Sequence, residues 1–548
     1  MGFGHVDYIV TSKRVFTSAV GDDAARPLAF AVVGDRIEFM GTPADVIAAC
    51  APGTPVLDFG DAFICPGFHD AHLHFFHTAL GASPYLLMHM GESEAELVAR
   101  TVEFAAGLPN HAWVVTQGWR DYRWDPPVPP TKRSLDEAFP TRPCVMYSGD
   151  GHTLWMNTCA LEALGVTRDS VPPQGGSYDR DENGELTGII REAAAMELLP
   201  RCLEWLTEED IASAYEAQMH RMAEQGITSI CDMALMPHLG CDFIRDDVYE
   251  KLSREGKLTL RVHMYPTLLD DQSRLEDLQD RYAGDEFPLL RAPGFKQFFD
   301  GVSSQLTAWL TEPYANARFE GDCGRPTVPA DRMRELVLAA AERGHSVRIH
   351  TIGDRAIHEA LDIFEEALAW YGAPMQGRNT LEHLENLLPE DIDRLADLGV
   401  LASSQPGHIT LDRVARARPR PRTQPHHVPF ATYTVRGVEQ AFGTDSPITA
   451  VTSMDVLYCA VTRQDPFTHE PSGGWLPSER ISAADALRIY TAGSAAAVGR
   501  EHELGQIAPG YLADFVVLDR DITVCDPEEI QSAQVLVTYV GGQRVYER

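Results

Sequence analysis

A short histidine-rich stretch, PGFHDAHLHF at residues 66–75, carries side chains that could bind a metal ion. In an extended strand, residues i and i+2 point to the same face, so His72 and His74 could converge on one ion. Imidazole together with carboxylate suits zinc, with manganese and iron as alternatives. One such pair arises easily by chance among 20 histidines. The prediction of a metal site therefore depends on partners elsewhere in the chain, and His69 and His77 are not expected to be ligands.

The partners that would complete the site follow short apolar segments further along the chain. Eight such segments, from AFICPGFHDAHLHF to QAFGTDSPIT, alternate with helical stretches, which is typical of strand–helix units and a parallel sheet. Helices are predicted at 331–344, 356–372 and 389–399, each ending near a glycine. Eight units predict an α/β fold, a (β/α)8 TIM-type barrel, whose chemistry lies at the C-terminal ends of its strands. The candidate ligands fall at or near these ends: His72, His74, Lys296, His350, His383 and Asp445.

Both ends of the chain show the alternating pattern of short β-strands. Residues 1–63 and 495–548 are predicted to form one small β-sandwich domain beside a barrel at 64–494, although two separate terminal modules would show the same pattern. A long interval, about 78–220, interrupts the strand–helix rhythm after the first barrel strand. We predict that this interval is an insertion or lid over the mouth of the barrel.

The composition restricts the partners of the protein. The chain has 548 residues and a formal net charge of −34, which opposes binding to the anionic surfaces of nucleic acids and membranes. The 10 cysteines include no CxxC pair, and no apolar run reaches the roughly 18 residues of a membrane span. We therefore expect a soluble, cytoplasmic protein that acts on a small molecule. The Arg/Pro-rich segment 413–429 is interpreted as a loop that orders the mouth or contacts a partner subunit.

Several motifs resemble, in order and spacing, those of the amidohydrolase superfamily: PGFHDAHLHF, HTIGDRAI, EHLEN, AFGTDSP and GQIAPGYLADFVVLD. DGHTLWMN, GELTG and KQFFDG are further similar to the branch that includes N-substituted formamide deformylases and YtcJ-like hydrolases. The resemblance covers nearly the whole chain. It implies a hydrolase that uses one or two divalent metal ions, above all zinc, and that forms homodimers.

The resemblance also assigns roles to the candidate ligands. His72, His74 and Asp445 would bind the more buried ion. His350 and His383 would bind a second ion or polarise the carbonyl group of the substrate.

Lys296 matches the position at which binuclear members of the superfamily carry N6-carboxylysine bridging both ions. An ammonium group cannot bind a cation, whereas a carbamate offers two anionic oxygens. The alternative is an ordinary lysine paired with the nearby Asp300, and a mononuclear site then remains open.

These roles imply hydrolysis of a carbon–nitrogen bond, that of an N-substituted amide or formamide, by a metal-activated water. Asp445 would accept the proton of the water and then deliver it to the leaving nitrogen. A deaminase acting on a heterocyclic ring is the alternative with the same chemistry. A non-catalytic binding barrel is a third interpretation, which the complete set of ligand types disfavours.

Substrate contacts are predicted within the insertion, in the motif DGHTLWMN. His152 and Trp155 are the candidates, because an aromatic ring beside a hydrogen-bonding group suits an apolar N-substituent. Packing of Trp155 in the core of the insertion is an equally good interpretation. Glu192 could support the site as an acid, but a solvated helix carboxylate is the preferred interpretation.

Overall fold

The computed structural model describes residues 5–149, 151–173, 175–235, 242–410, 427–449 and 451–548. These residues form an α/β protein with a sheet built from both ends of the chain, a central set of parallel strands and an inserted sheet. The predicted mouth loop at 413–429 lies outside the described residues except for 427–429. Within the described ranges, no helix combines the length and the apolar character needed to cross a membrane.

The beginning of the chain contributes strands to the terminal sheet. Its elements are β1 (Tyr8–Val15), β2 (Arg26–Val33), β3 (Arg36–Gly41), α1 (Pro43–Ala49), β4 (Val56–Asp58) and β5 (Phe63–Pro66). Alternate residues of β2 enter two apolar clusters: Phe30 and Val32 face one, whereas Ala29 and Ala31 pack with Val46 of α1. The two-residue period of the strand therefore buries both of its faces.

The chain leaves the terminal sheet at Gly67 and continues directly into β6 (Phe68–Leu73). A Cβ atom at Gly67 would lie 2.2 Å from the side chain of Thr228, so this close approach of two chain segments requires glycine. The terminal sheet thus extends to Pro66, slightly beyond the predicted boundary at residue 63.

The insertion folds around a sheet of its own, with strand order β11-β12-β10-β9-β8-β7. Its apolar cluster includes Leu97, Leu135 and Trp155 and is separate from the central core. The elements from β6 to the end of the insertion are α2 (Phe75–Gly81), β7 (Leu87–Met88), α3 (Glu94–Ala105), β8 (Val114–Trp119), α4 (Lys132–Ala138), β9 (Cys144–Ser148), β10 (Thr153–Met156), α5 (Thr158–Leu164), β11 (Gly176–Arg180), β12 (Leu186–Glu192) and α6 (Ala193–Cys202).

The central part alternates strands and helices. Its elements are α7 (Glu208–Glu224), β13 (Ile227–Met233), α8 (Asp246–Arg254), β14 (Arg261–Tyr265), α9 (Ser273–Tyr282), β15 (Leu290–Arg291), β16 (Gly294–Phe298), α10 (Ala330–Glu342), β17 (Ser346–Thr351), α11 (Asp354–Tyr371), β18 (Thr380–His383), α12 (Pro389–Asp397), β19 (Leu401–Ser404), α13 (Phe430–Arg436) and β20 (Gln440–Phe442). Helices α10, α11 and α12 correspond to the three helices predicted from the sequence. Helix α7 lies within the interval predicted as insertion, but it packs against β13.

The central strands pair in parallel in two sets, β15-β14-β13-β6 and β16-β17-β18-β19-β20. A parallel bridge between Thr267 and Lys296 connects the sets on one side. On the other side, the segment after β20 bonds to the end of β6: Asp445 N–H donates to the carbonyl of His72 at 2.7 Å. The C-terminal ends of β6 and β20 therefore meet, and these ends carry the candidate ligands.

The remaining elements return the chain to the terminal sheet. They are α14 (Ser453–Thr462), α15 (Ala483–Arg488), α16 (Ser494–Ala497), β21 (Phe515–Leu518), β22 (Val535–Val540) and β23 (Gln543–Glu547). Strand β21 pairs with β5, which gives one sheet with the order β23-β22-β21-β5-β1-β2-β3 and β4 attached to β1. Both ends of the chain thus share one sheet.

Candidate metal centre

Asp445 is the residue around which the predicted ligands gather. Its Oδ1 lies 3.5 Å from Nε2 of His72 and 3.4 Å from Nε2 of His74. Its Oδ2 lies 3.9 Å from Nδ1 of His383 and 3.4 Å from Nε2 of His408. Burial alone would raise the pKa of Asp445, but the surrounding histidines hold it well below its usual range. The carboxylate is therefore ionised at neutral pH.

Two of these residues have an unusual backbone conformation. His383 has φ 74° and Asp445 has φ 54°, in the left-handed region that side chains other than glycine rarely adopt. Such strain persists only where the surrounding structure holds it, and it is frequent at active sites. His383 is the last residue of β18 and Asp445 lies three residues after β20, and their side chains approach each other to 3.9 Å.

The polar atoms that face this point suit a cation. Among the described residues, Nε2 of His72 and Oδ1 of Asp445 are buried without a hydrogen bond. The opposite nitrogens are held: Nδ1 of His72 lies 2.7 Å from Oε2 of Glu382, and Nδ1 of His74 lies 2.9 Å from the carbonyl of Met233. Histidines that bind metals typically donate their other N–H to a carboxylate or a carbonyl in this way. The donor set therefore fits a divalent cation.

A buried ion pair holds His72 in place. Glu382 accepts a hydrogen bond at 2.6 Å from Nε of Arg348, and neither side chain is exposed to solvent. Burial alone would raise the pKa of Glu382, but Arg348 and His72 keep it well below its usual range. Burial lowers the pKa of His72 to about 4. The imidazole is therefore neutral at pH 7, as metal binding requires.

The other two predicted histidines, His350 and His383, also line the site. The ring of His383 lies 5.0 Å from that of His72 and 4.5 Å from that of His350, centroid to centroid. Nδ1 of His383 contacts Oε1 of Gln405 at 2.8 Å, and Nε2 of His350 contacts the carbonyl of Gly301 at 3.2 Å. His72, His383 and Asp445 offer ligand atoms within 4.8 Å of one another. His350 is not in this group and contacts it through the ring of His383.

Lys296 lies in the interior of β16 and is completely buried. Its Nζ has no hydrogen-bond partner among the described residues and lies 4.9 Å from the ring centre of Phe298. Burial lowers its pKa to about 8. Asp300 is engaged elsewhere, because its oxygens accept hydrogen bonds from the backbone N–H groups of Ile352 and Gly353 at 3.0 and 2.8 Å. The structure therefore does not support the Lys296–Asp300 pair that was the alternative to a modified lysine.

His408 and Glu385 also belong to the site, although the sequence did not predict them. The ring of His408 stacks on that of His383 with centroids 5.8 Å apart, and its Nδ1 lies 3.5 Å from Oε1 of Glu385. His408 stands in a short 3-10 turn, Pro406–Thr410, directly after β19. The other candidate ligands were predicted because they lie at or near strand ends, and His408 lies at such a position too. The motif QPGH could therefore have predicted it.

A pocket with about 600 Å³ of empty space opens onto the cluster. Its polar lining includes five histidines and two carboxylates, namely His74, His152, His350, His383, His408, Glu385 and Asp445. Arg120 and His152 come from the insertion, and Nη2 of Arg120 donates to the carbonyl of Ile448 in the loop after β20 at 3.0 Å. Residues of the insertion thus supply part of the pocket lining.

Trp155 does not line this pocket, which corrects its prediction as a substrate contact. The side chain is completely buried in the apolar cluster of the insertion and lies edge-on to Trp119. Its Nε1 donates to the carbonyl of Thr131 at 2.9 Å. The reason is strand geometry: Trp155 lies three residues after His152, so the two side chains point to opposite faces of the inserted sheet.

A second group of ligand-type residues lies on β6, β13 and β14 and shares only β6 with the first. Nε2 of His69 is 3.6 Å from Sγ of Cys231, and the rings of His69 and His263 stack at 5.1 Å. Nε2 of His263 lies 3.3 Å from Nη1 of Arg500. Burial, together with Arg348 and Arg500, lowers the pKa of His69 to about 3. The adjacent guanidinium groups and the lack of a carboxylate in the group oppose a metal ion here.

The chain is similar to two curated enzymes over nearly its whole length. It is 29% identical to the amidohydrolase YtcJ of Bacillus subtilis strain 168, over 91% of this chain and 92% of the relative. It is 27% identical to the N-substituted formamide deformylase of Arthrobacter pascens, over 99% of this chain and 98% of the relative.

Solved structures share the fold. A metal-dependent hydrolase of uncharacterised activity from Pyrococcus horikoshii OT3 superimposes with a TM-score of 0.73 at 24% identity, covering 95% of this chain and 99% of that chain. An adenosine deaminase from Xanthomonas campestris with bound zinc gives a TM-score of 0.54 at 15% identity, covering 98% and 92%.

The model of the amidohydrolase family matches residues 56–546, which include the insertion, every candidate ligand and the terminal-sheet strands β4, β5, β21 and β22, but not β1 to β3. The motifs, the parallel strands and the histidine–carboxylate cluster agree with this match. The chain therefore belongs to the amidohydrolase family and is a hydrolase that acts on carbon–nitrogen bonds.

Proposed function

We propose that the protein hydrolyses the carbon–nitrogen bond of a linear, N-substituted amide or formamide. The observation that carries this proposal is the ionised Asp445 carboxylate, 3.4 to 3.5 Å from two histidine Nε2 atoms, on the wall of a pocket of about 600 Å³. A recessed pocket lined by a few convergent polar groups is typical of a small-molecule site. Similarity to a formamide deformylase over 99% of the chain supports the choice of bond.

We infer that the site uses one or two divalent ions, with zinc the best match to its donors. His72, His74 and Asp445 would hold the first ion. His350, His383 and Lys296 would hold the second, with Lys296 as a carbamate. A bound cation of this kind supplies a water whose pKa is lowered toward about 7.

The residues around the scissile bond have different roles in the proposed hydrolysis. Asp445 takes the proton of the attacking water and carries it to the leaving nitrogen, so that one carboxylate serves as base and then as acid. His350 or His383 polarises the carbonyl group of the substrate. Glu382, itself held by Arg348 at 2.6 Å, keeps His72 oriented through its contact with Nδ1, while burial keeps the imidazole neutral.

His152 is the proposed substrate contact, since it lines the pocket opposite the Asp445 cluster. Its ring lies 5.6 Å from that of His350. The substituent on the substrate nitrogen would extend along this side, between the insertion and the parallel strands.

A deaminase acting on a heterocyclic ring is the second candidate. His72, His383 and Asp445 alone bring ligand atoms within 4.8 Å of one another, an arrangement that one ion without Lys296 would satisfy. A zinc-containing adenosine deaminase shares the fold. Release of ammonia, in place of an amine, would distinguish this reaction.

We further propose that eight of the nine described central parallel strands, all except the two-residue β15, close into a (β/α)8 barrel and that the terminal sheet is folded as a β-sandwich. The bridge from Thr267 to Lys296 and the bonds between the ends of β6 and β20 support the closure. A cytoplasmic location, a homodimer and the lack of nucleic-acid partners stay predictions from composition and family.

The proposed function is tested by incubating the purified protein with a panel of N-formyl and N-acyl amines and with heterocyclic amines. Release of the free amine from a linear amide supports the proposal. Release of ammonia from the heterocycles alone would replace it with the deaminase.

A further inference from the structure

Strand β6 departs from regular pairing at the first candidate ligand. Asp70 lies opposite Ile230 of β13. Three residues further along β6, Leu73 lies opposite Asp232, which is only two residues further along β13. The extra residue makes a β-bulge, a feature that changes the direction of nearby side chains and is frequent beside active sites. His72 lies within this bulge, so the direction of its ring depends on what holds the bulge in shape.

The side chain of Asp70 holds the bulge, and it is completely buried. Its Oδ1 accepts hydrogen bonds from the backbone N–H of His72 at 3.3 Å and from the backbone N–H of Thr444 at 2.9 Å. Its Oδ2 accepts a third hydrogen bond from Oγ1 of Thr444 at 2.7 Å. One carboxyl group thus joins the bulge of β6 to the loop that follows β20.

The two segments that Asp70 joins carry candidate ligands on both sides. His72 and His74 lie on one segment, and Asp445 is the third residue of the loop after β20. The backbone N–H of Asp445 donates to the carbonyl of His72 at 2.7 Å. A Cβ atom at Gly443 would lie 2.6 Å from the backbone nitrogen of His72, so this close approach requires glycine. The separation of the ligands therefore depends on the contact between the two segments.

We propose that Asp70 is a positioning residue of the metal centre, which holds His72 and Asp445 at the separation that binding of one ion requires. This inference rests on the proposed function, because it uses the ion that the donor set fits. Asp70 is not among the residues that line the pocket, so it acts through the backbone of the ligands and does not contact the substrate. Without its acceptor oxygens the two segments would separate, and the ligands would no longer converge.

Two substitutions of Asp70 test this role. Asp70→Ala removes both oxygens, whereas Asp70→Asn keeps an oxygen that can accept from both backbone N–H groups. The measured quantities are the affinity for Zn²⁺, by competition with a chromophoric chelator, and the visible absorption spectrum of the Co²⁺-substituted protein. We expect Asp70→Ala to weaken zinc binding about 10- to 100-fold and to shift the cobalt bands. Asp70→Asn should restore zinc affinity to within about 3-fold of the wild type and keep the cobalt spectrum.

A second pair of variants tests the same contact if Asp70→Ala does not fold. Thr444→Val removes the hydroxyl that donates to Asp70 and that also accepts from the backbone N–H of Ser446 in the same loop. Zinc binding should weaken about 3- to 10-fold. Thr444→Ser keeps the hydroxyl and should bind zinc as the wild type does.

Asp391→Ala is the control for a general loss of stability. Asp391 is also completely buried, but it contacts Nδ1 of His358 at 3.0 Å, away from the residues that line the pocket. The variant should be less stable and should keep the zinc affinity and the cobalt spectrum of the wild type.

The possible failures are distinguishable, because both metal measurements are made without substrate. Unchanged zinc affinity in Asp70→Ala, or an equal loss in Asp70→Ala and Asp391→Ala, would overturn the positioning role and leave the proposed function standing. A wild-type protein that binds zinc but releases no amine from any amide of the panel would refute the proposed function alone. A wild-type protein that binds no zinc would overturn both.

Discussion

The chain contains two buried groups of ligand-type residues among the parallel strands, and the groups have only β6 in common. The upper group joins His72, His383 and Asp445, and the lower group joins His69, Cys231 and His263. Both bring ligand atoms within 4.8 Å of one another. They differ in charge: the upper group contains an ionised carboxylate and faces the pocket, whereas the lower one is flanked by Arg500 and Arg348.

The difference in charge shows that residue type and spacing alone do not make a metal site. A cation needs compensating negative charge in a buried environment, and Asp445 and Glu382 supply it above. In the lower group, Nδ1 of His263 lies 3.1 Å from the carbonyl of Ile230 and its Nε2 faces Arg500. The lower histidines are therefore neutral packing and hydrogen-bonding groups.

Asp445→Asn should have the largest effect on the upper group. The substitution removes both the anionic ligand and the proposed proton carrier, so we expect kcat/KM to fall by about 10³-fold or more. Initial rates of amine release measure it. Cys231→Ser, the matched change in the lower group, should keep near-normal turnover, and near-normal turnover in Asp445→Asn would refute the assigned role.

Glu382→Gln should weaken the same group indirectly. It leaves Arg348 buried without its charged partner, which should lower the free energy of unfolding by about 3–5 kcal/mol, and it loosens His72, which should weaken metal affinity about 10- to 100-fold. Urea unfolding and metal titration measure the two effects.

Glu479→Gln is the control for this prediction, because Glu479 is also a buried carboxylate but bonds to Thr432, outside the pocket. It should cost stability without changing metal affinity. Equal metal affinity in the Glu382 and Glu479 variants would show that the ion pair does not support the site.

Acid should act on the lower group through His69. Its pKa is lowered to about 3 in the folded protein, whereas the unfolded chain binds the proton near pH 6.5. The unfolded state thus holds more protons between these values, so stability falls as the pH drops from 6.5 toward 3. The contribution is about 1.4 kcal/mol per pH unit.

His69→Asn isolates this contribution. Buried carboxylates such as Asp70 and Asp232, whose pKa values burial raises to about 7, act in the opposite direction and are common to both proteins. The variant should show a shallower loss of unfolding free energy between pH 6.5 and 4 by urea denaturation. An identical slope would mean that His69 is already protonated in the folded protein.

Much of the fold followed from local pattern. The alternation of strands and helices predicted helices α10 to α12 and eight of the nine described central parallel strands, all but the two-residue β15, because the hydrophobic period and the glycine at each helix end are local properties. The position of Trp155 on the opposite face from His152 could also have been predicted, because residues three apart in a strand point to opposite faces.

Other features of the site depend on contacts between distant residues. Arg348 and Glu382 are charged residues in strand interiors, and only the pairing of β17 with β18 shows that they bind each other and His72. The deeper His69 group looks like a metal site by residue type, and its character depends on Arg500, which is far away in the sequence. Local spacing could not reveal either arrangement.

The central claim is that the upper group, and not the lower one, holds the catalytic metal. Its most direct test is the content of transition metal per chain, measured by mass spectrometry, in wild-type, Asp445→Ala and Cys231→Ser proteins purified without chelator. The account predicts at least one equivalent in the wild-type and Cys231→Ser proteins and a marked loss in Asp445→Ala. Metal that is absent from the wild type, or that is lost with Cys231 and kept without Asp445, would contradict it.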